Sequence, residues 1–221
     1  MGKEYVEISN YKKVIKGNTI LSDINLKFQR GKVYGFKGKN GSGKSMLFRA
    51  ISGLIKATEG EVMINGKKIG RDISFPENLG LLIEYPGFLS DFTGFQNLKY
   101  LADINKKIDD NKIKNTLEAV GLDPEDKRKF KKYSLGMKQR LGVAQAVMEN
   151  PDIIILDEPT NALDIDGVEL INKIILELRN QNKLILISNH DKEEMEMIAD
   201  EIYTIHEGKI TDHVVLRKEN I

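Results

Sequence analysis

Residues 33–53 read VYGFKGKNGSGKSMLFRAISG, and this stretch decides the fold. Val33 to Lys37 is a short apolar run of strand character, and from about Lys44 to Gly53 the apolar residues Met46, Leu47, Ala50 and Ile51 recur at helical spacing. Between them lies GKNGSGKS at 38–45, a match to G-x-x-x-x-G-K-[ST] in the strand-loop-helix setting the motif requires. Gly38, Gly41 and Gly43 let the backbone turn successive amides towards an oxyanion. Lys39, Asn40 and Ser42 complete the loop, and the helix start adds partial positive charge. Lys44 can reach phosphate oxygens as a point charge, while the Ser45 hydroxyl is placed to ligate Mg²⁺. The competing reading is a glycine-rich turn that merely contains Lys and Ser; the strand-helix setting weighs against it.

Outward from this loop, Ile153 to Asp157 is an apolar strand ending in a carboxylate, with Glu158 immediately after. Ligands of open α/β sheets bind beyond the carboxyl ends of the strands, so both acids are expected in the same crevice as the loop. There Asp157 can hold Mg²⁺ and Glu158 can polarise an attacking water. Taken alone, such a pair would as readily cap a helix or form a turn. His190 follows the strand Leu184 to Ile187 at another strand end, although a lone histidine is more often structural than catalytic. His206 and His213, near the closing hairpin, are read as structural, and no spacing of the three histidines suggests a metal site.

The remaining pattern is alternating β and α. Residues 4–9 and 21–28 read as amphipathic strands turning near Lys16-Gly17-Asn18, an early antiparallel piece. Gly60 to Ile64 with Asn65-Gly66 suggests a hairpin, and Leu79 to Ile83 a further strand. Helical periods dominate the next stretch, at Phe95–Ile104, Asp109–Val120 and Leu135–Met148. Alternation then resumes with strand 153–157, helix 166–181, strand 184–188, helix 192–199 and a hairpin at 201–215 turning at Glu207-Gly208. The expectation is a single domain whose α/β core, 1–85 and 150–221, carries an inserted helical subdomain at 86–149.

Composition narrows the classes. At roughly 150 residues per domain, 221 residues make one sizeable domain or one with a substantial insertion. With 40% hydrophobic and 30% charged residues and only five prolines, disorder and low-complexity classes drop out. The absence of cysteine excludes disulfides, thiolate zinc sites and cysteine nucleophiles. A formal charge of +1, from 34 basic and 33 acidic residues, makes no electrostatic case for nucleic acid. The basic run KRKFKK at 127–132 is read as solvated surface. No apolar run approaches the roughly 18–20 residues of a membrane span, and the N-terminus lacks the core of a signal peptide, so a cytoplasmic protein is expected.

At this point the residues resemble the nucleotide-binding subunit of an ABC transporter. YSLGMKQRLGVAQAV at 133–147 is similar to that family's signature, L-S-G-G-Q followed by Q-R: Ser134 and Gly136 match, Leu135 replaces a glycine and Met137 the glutamine. Pro159 to Asp164 resembles the D loop, and Ser188-Asn189-His190 the switch-histidine segment. The resemblance implies a RecA-like P-loop NTPase core with an N-terminal antiparallel β piece and an inserted α-helical signature subdomain. It also implies ATP and Mg²⁺ as ligands, Lys44, Glu158 and His190 as catalytic residues, and Ser134, Gly136 and Met137 acting in trans on ATP held by a second cassette. Further partners would be a transmembrane permease, giving peripheral attachment to the inner face of the membrane, and no nucleic acid.

Within the family, LLIEYPGFLSDFTGFQNL at 81–98 and the S-L-G-M of the signature resemble ATPases of bacitracin and lantibiotic export or immunity. Glu84 stands where most members have a glutamine that helps position Mg²⁺ and water. A carboxylate still ligates Mg²⁺, but adds negative charge near the γ phosphate. The adenine-stacking aromatic falls at Ile15, so apolar contact and weak base selectivity are expected; Tyr11, four residues away, is the alternative ring, with core packing the competing reading. Phe88, Leu89, Phe92 and Phe95 are candidates either for a permease groove or for the subdomain's own core. A low-turnover regulatory cassette and an iron-sulfur assembly ATPase are the alternative functions.

Overall fold

The computed structural model describes residues 4–84 and 87–216. Two sheets organise it. The first is antiparallel, in the order β2-β1-β4-β5, from β1 (Glu4–Ile15), β2 (Asn18–Gln29), β4 (Glu59–Ile64) and β5 (Lys67–Lys68). The second runs β10-β9-β3-β8-β7-β6, from β3 (Lys32–Lys37), β6 (Leu79–Leu82), β7 (Ile153–Asp157), β8 (Leu184–Ser188), β9 (Glu201–His206) and β10 (Lys209–Val215). Its strands are parallel except for the β9-β10 hairpin at one edge.

Every residue of β7 (IIILD) and β8 (LILIS) is buried, as expected for central parallel strands covered on both faces. Alternate side chains enter different cores. Ile154, Leu156, Ile185 and Ile187 pack with the helices α2 (Gly94–Asn105), α3 (Asp110–Ala119), α4 (Leu135–Val147), α5 (Ile165–Asn180) and α6 (Lys192–Ile198). Ile153, Ile155, Leu184 and Leu186 face α1 (Lys44–Ile51) and the antiparallel sheet. There Phe28, Tyr34, Phe36, Phe48 and Tyr203 form a ring cluster, with Phe36 and Phe48 edge to face at 5.3 Å.

The antiparallel piece is longer than its alternation suggests. The register of β1 shifts between Ile8 and Tyr11, where Asn10 takes a left-handed backbone (φ 47°). This bulge resets the alternation and returns Tyr11 to the core. The strand then continues to Ile15 rather than stopping near residue 9.

The α2, α3 and α4 helices occupy the chain between β6 and β7, and their N-caps explain their starts. Thr93 accepts from Gln96 N while the Gln96 side chain answers Thr93 N, a capping box. Asp109 and Ser134 cap the next two helices. The expected subdomain boundary between 85 and 86 falls on residues outside those described.

Candidate active site

The phosphate loop leaves β3 at Lys37 and enters α1 at Lys44. Gly43, the N-cap of α1, has φ 115° and no side-chain cap, so the amides of the first turn have no side-chain acceptor there. A Cβ on Gly38 would lie 2.3 Å from the Ile205 carbonyl oxygen, so that position has no room for a side chain. Lys44 is only 5% exposed and its Nζ donates to the carbonyls of Gly38 at 2.7 Å and Lys39 at 3.3 Å. Ser42 Oγ is buried without a hydrogen-bond partner, an uncompensated polar atom inside an anion-shaped loop. Lys39, Asn40 and Gly41 are exposed at the loop tip.

Parallel pairing aligns Asp157 with Ser188 at the carboxyl ends of β7 and β8. Asp157 accepts from Ser45 Oγ at 2.5 Å with one oxygen and from Ser188 Oγ with the other. Two hydroxyls thus satisfy a nearly buried carboxylate. Glu158 follows in a left-handed conformation (φ 52°), which for a residue other than glycine costs on the order of 1 kcal/mol. Its backbone is held from both sides: its N–H donates to Ser188, and its carbonyl accepts from Gln139 Nε2 at 2.7 Å. Its carboxylate meets His190 Nε2 at 2.5 Å.

Ser45, Glu84, Gln139, Asp157, Glu158 and Asn161 line one cavity of about 200 Å³. Glu84 reaches it from the end of β6, with its Oε1 2.9 Å from Arg49 Nη2 of α1. Among the described residues no three carboxylates or imidazoles are grouped as a metal site. Any divalent cation here would therefore depend on hydroxyl, water and phosphate oxygens as well as carboxylates, which is the habit of Mg²⁺.

The signature residues are elsewhere. Ser134 Oγ accepts from Met137 N at 3.2 Å and so caps α4. Ser134, Gly136 and Met137 line a separate cavity of about 440 Å³ with Leu135, Arg140 and residues 162–164. Arg140 Nη2 bridges to Asp164 Oδ1 at 3.0 Å, tying the signature helix to the segment after the acids.

Ile15 is 38% exposed at the end of β1, opposite Asn18. Tyr11 is 1% exposed, and burial pushes its phenol up to about 12; it is a core residue rather than an exposed ring beside Ile15. Phe88 and Phe95 pack against the helical core, whereas Leu89 and Phe92 are exposed. His213 stacks on Tyr203 at 4.2 Å and meets Glu201, as befits a structural histidine. In the basic run, Lys127, Arg128 and Lys131 pair with Glu125, Asp126 and Asp91 on the surface, while Phe130 turns inward.

Sequence reading did not single out Gln139, Arg49 or Asn161. Gln139 and Arg49 are helical residues whose partners lie 19 and 35 positions away, so only the helical phase pointing them at the cleft could have hinted at them.

The family model for ABC transporter matches residues 21–161. The chain is 42% identical over 217 residues to the uncharacterized ABC transporter ATP-binding protein YybJ of Bacillus subtilis, covering 97% of this chain and 100% of that protein. It is 40% identical to the bacitracin transport ATP-binding protein BcrA of Enterococcus faecalis (96% and 70% covered) and 37% identical to the lantibiotic transport ATP-binding protein SrtF of Streptococcus pyogenes (97% and 90%). Its fold matches the dimeric structure of MJ0796, a bacterial ABC transporter cassette, with a TM-score of 0.87 at 24% identity, covering 97% of this chain and 100% of that one. With its phosphate loop, acidic strand end and signature helix laid out on that fold, the chain belongs to the ABC transporter family, as an ATP-binding subunit of the type found with bacitracin and lantibiotic transporters.

Proposed function

We propose that this subunit hydrolyses ATP in a Mg²⁺-dependent reaction to energise export of, or immunity to, a peptide antibiotic or similar amphiphile through a separate permease. The observation that carries the reading is the convergence of Ser45, Asp157, Glu158 and Glu84 on one cavity beside the phosphate loop, with His190 2.5 Å from Glu158. The relatives named for bacitracin and lantibiotic transport supply the substrate class.

In this reading the loop from Gly38 to Ser45 wraps the phosphates. Lys44 exchanges its carbonyl partners for phosphate oxygens, and Ser42 gains the partner it lacks. Ser45, Asp157 and Glu84 form an oxygen donor set suited to Mg²⁺. The cation, when bound with ATP, would neutralise phosphate charge. Glu158 orients and polarises a water, whose oxygen bonds to the γ phosphorus as the bond to the bridging oxygen breaks; the water's proton passes towards Glu158. His190 holds Glu158 in place and can donate to the γ phosphate. Ile15 gives the adenine an apolar contact without stacking.

Ser134, Gly136 and Met137, at the N-terminus of α4, would meet the γ phosphate of ATP bound to a second cassette, identical or sibling. Residues 86–149 would move as one signature subdomain against the remaining core. No described helix is long and apolar enough to cross a membrane. We place the subunit at the inner face of the membrane through its permease, with no role for nucleic acid.

Glu158→Gln is expected to lower turnover by about 10²–10⁴-fold and to accumulate an ATP-bound dimer in light scattering. Wild-type protein that fails to hydrolyse ATP even with its permease would overturn the ATPase reading. For the substrate, cells carrying the wild-type subunit and permease should survive several-fold more bacitracin or lantibiotic than cells carrying Glu158→Gln. Equal sensitivity would sink the substrate class alone.

A further inference from the structure

Glu84 brings a third carboxylate to a cavity that already contains Asp157 and Glu158. Each of the other two has a defined partner: Ser45 and Ser188 for Asp157, His190 for Glu158. The partner of Glu84 is Arg49, at 2.9 Å. Arg49 lies four residues after Ser45 on α1, one turn further along the same helix face. One helix therefore offers Glu84 two destinations, the arginine and the hydroxyl at the metal position. The ion pair lies at the rim, with Arg49 36% and Glu84 64% exposed. Exposed pairs of this kind are weak and exchangeable. Glu84 also has a left-handed backbone (φ 57°), which turns the chain sharply at the end of β6.

We propose that Arg49 is a positioning residue for Glu84: it holds the carboxylate at the rim of the cavity before the metal-nucleotide arrives and releases it to the cation on loading. Arg49 thereby offsets the negative charge that Glu84 brings to a cavity already holding two carboxylates. The proposal rests on the reading of Glu84 as a metal ligand.

A binding cycle separates the two. Mn²⁺ is titrated, by electron paramagnetic resonance, into the full chain saturated with a non-hydrolysable ATP analogue. Wild type is compared with Arg49→Gln, Glu84→Gln, their double variant, Arg49→Lys and Glu84→Ala, all checked for unchanged thermal unfolding. Removing the competitor is expected to tighten Mn²⁺ binding about two- to fivefold in Arg49→Gln. Arg49→Lys should return to the wild-type value, and Arg49→Gln should have no effect in the Glu84→Gln background. An equal change in both backgrounds would mean that Arg49 acts by general repulsion of the cation, and the proposal would fail. Weaker binding in Glu84→Gln with no response to Arg49→Gln would also overturn it, leaving Glu84 a metal ligand. If Glu84→Ala, which removes the side-chain oxygen donor altogether, leaves Mn²⁺ affinity unchanged, the metal-ligand reading fails and the proposal with it.

Discussion

The phosphate-loop cleft and the signature cavity are built in opposite ways. In the cleft, Lys44 at the start of α1 and Asp157 and Glu158 at the end of β7 are each held by groups of the same chain. At the signature, Ser134 and Leu135 are exposed, and the Ser134 oxygen does no more than cap its own helix. The first region is preorganised before any ligand arrives, which is what electrostatic catalysis requires. The second presents a helix N-terminus outward, which suits recognition of a ligand carried by another molecule.

Perturbing each region in turn tests the comparison. The largest effect is expected from the cleft itself, where Glu158→Gln should abolish most turnover while leaving ATP binding in place. Next, Lys44→Ala should weaken ATP binding by roughly ten- to a hundredfold in isothermal titration, the scale of a lost charge-assisted hydrogen bond. Ser134→Ala should separate the regions. It should leave the ATP affinity of the isolated chain unchanged but suppress ATP-dependent dimerisation, with about 1 kcal/mol of stability lost from the missing cap. If it weakens ATP binding to the monomer as much as Lys44→Ala, the two regions are not distinct.

The smallest effect belongs to the sheet edge, away from both regions. Burial pushes the Glu201 carboxyl up, but hydrogen bonds from Lys32 and His213, with their charges, outweigh it and hold the group below its ordinary value of 4.5. A carboxyl lowered on folding stabilises the protein above its unfolded pKa, and that contribution disappears as pH falls through the lower folded value. Thermal unfolding of Glu201→Gln should therefore be less pH-dependent than wild type below about pH 4.5. Identical acid limbs would remove this residue from the account.

Much of the cleft was readable because its parts are local. GKNGSGKS specifies a turn and a helix start within eight residues, and the all-apolar run before Asp157 announces a strand buried on both faces. The limits of β1 were less readable, because the bulge at Asn10 interrupts the alternation from which strand length is judged. Phe88 and Phe92 look alike in sequence, yet one packs against Phe130 and the other stays exposed. Local pattern carries no information about which ring finds the core.

By itself, then, the amino-acid order determined the α/β alternation, the glycine-rich loop and the acids at the strand end, since each depends on backbone preferences and apolar periods spanning a few residues. Only the tertiary structure decided that Ser188 shares Asp157 with Ser45, that Gln139 grips the backbone of Glu158, and that Arg49 meets Glu84. Those partners are separated by 19 to 112 positions. They meet because parallel pairing aligns the ends of β7 and β8 and packing sets the rotation of α1 and α4, which no short stretch of sequence encodes.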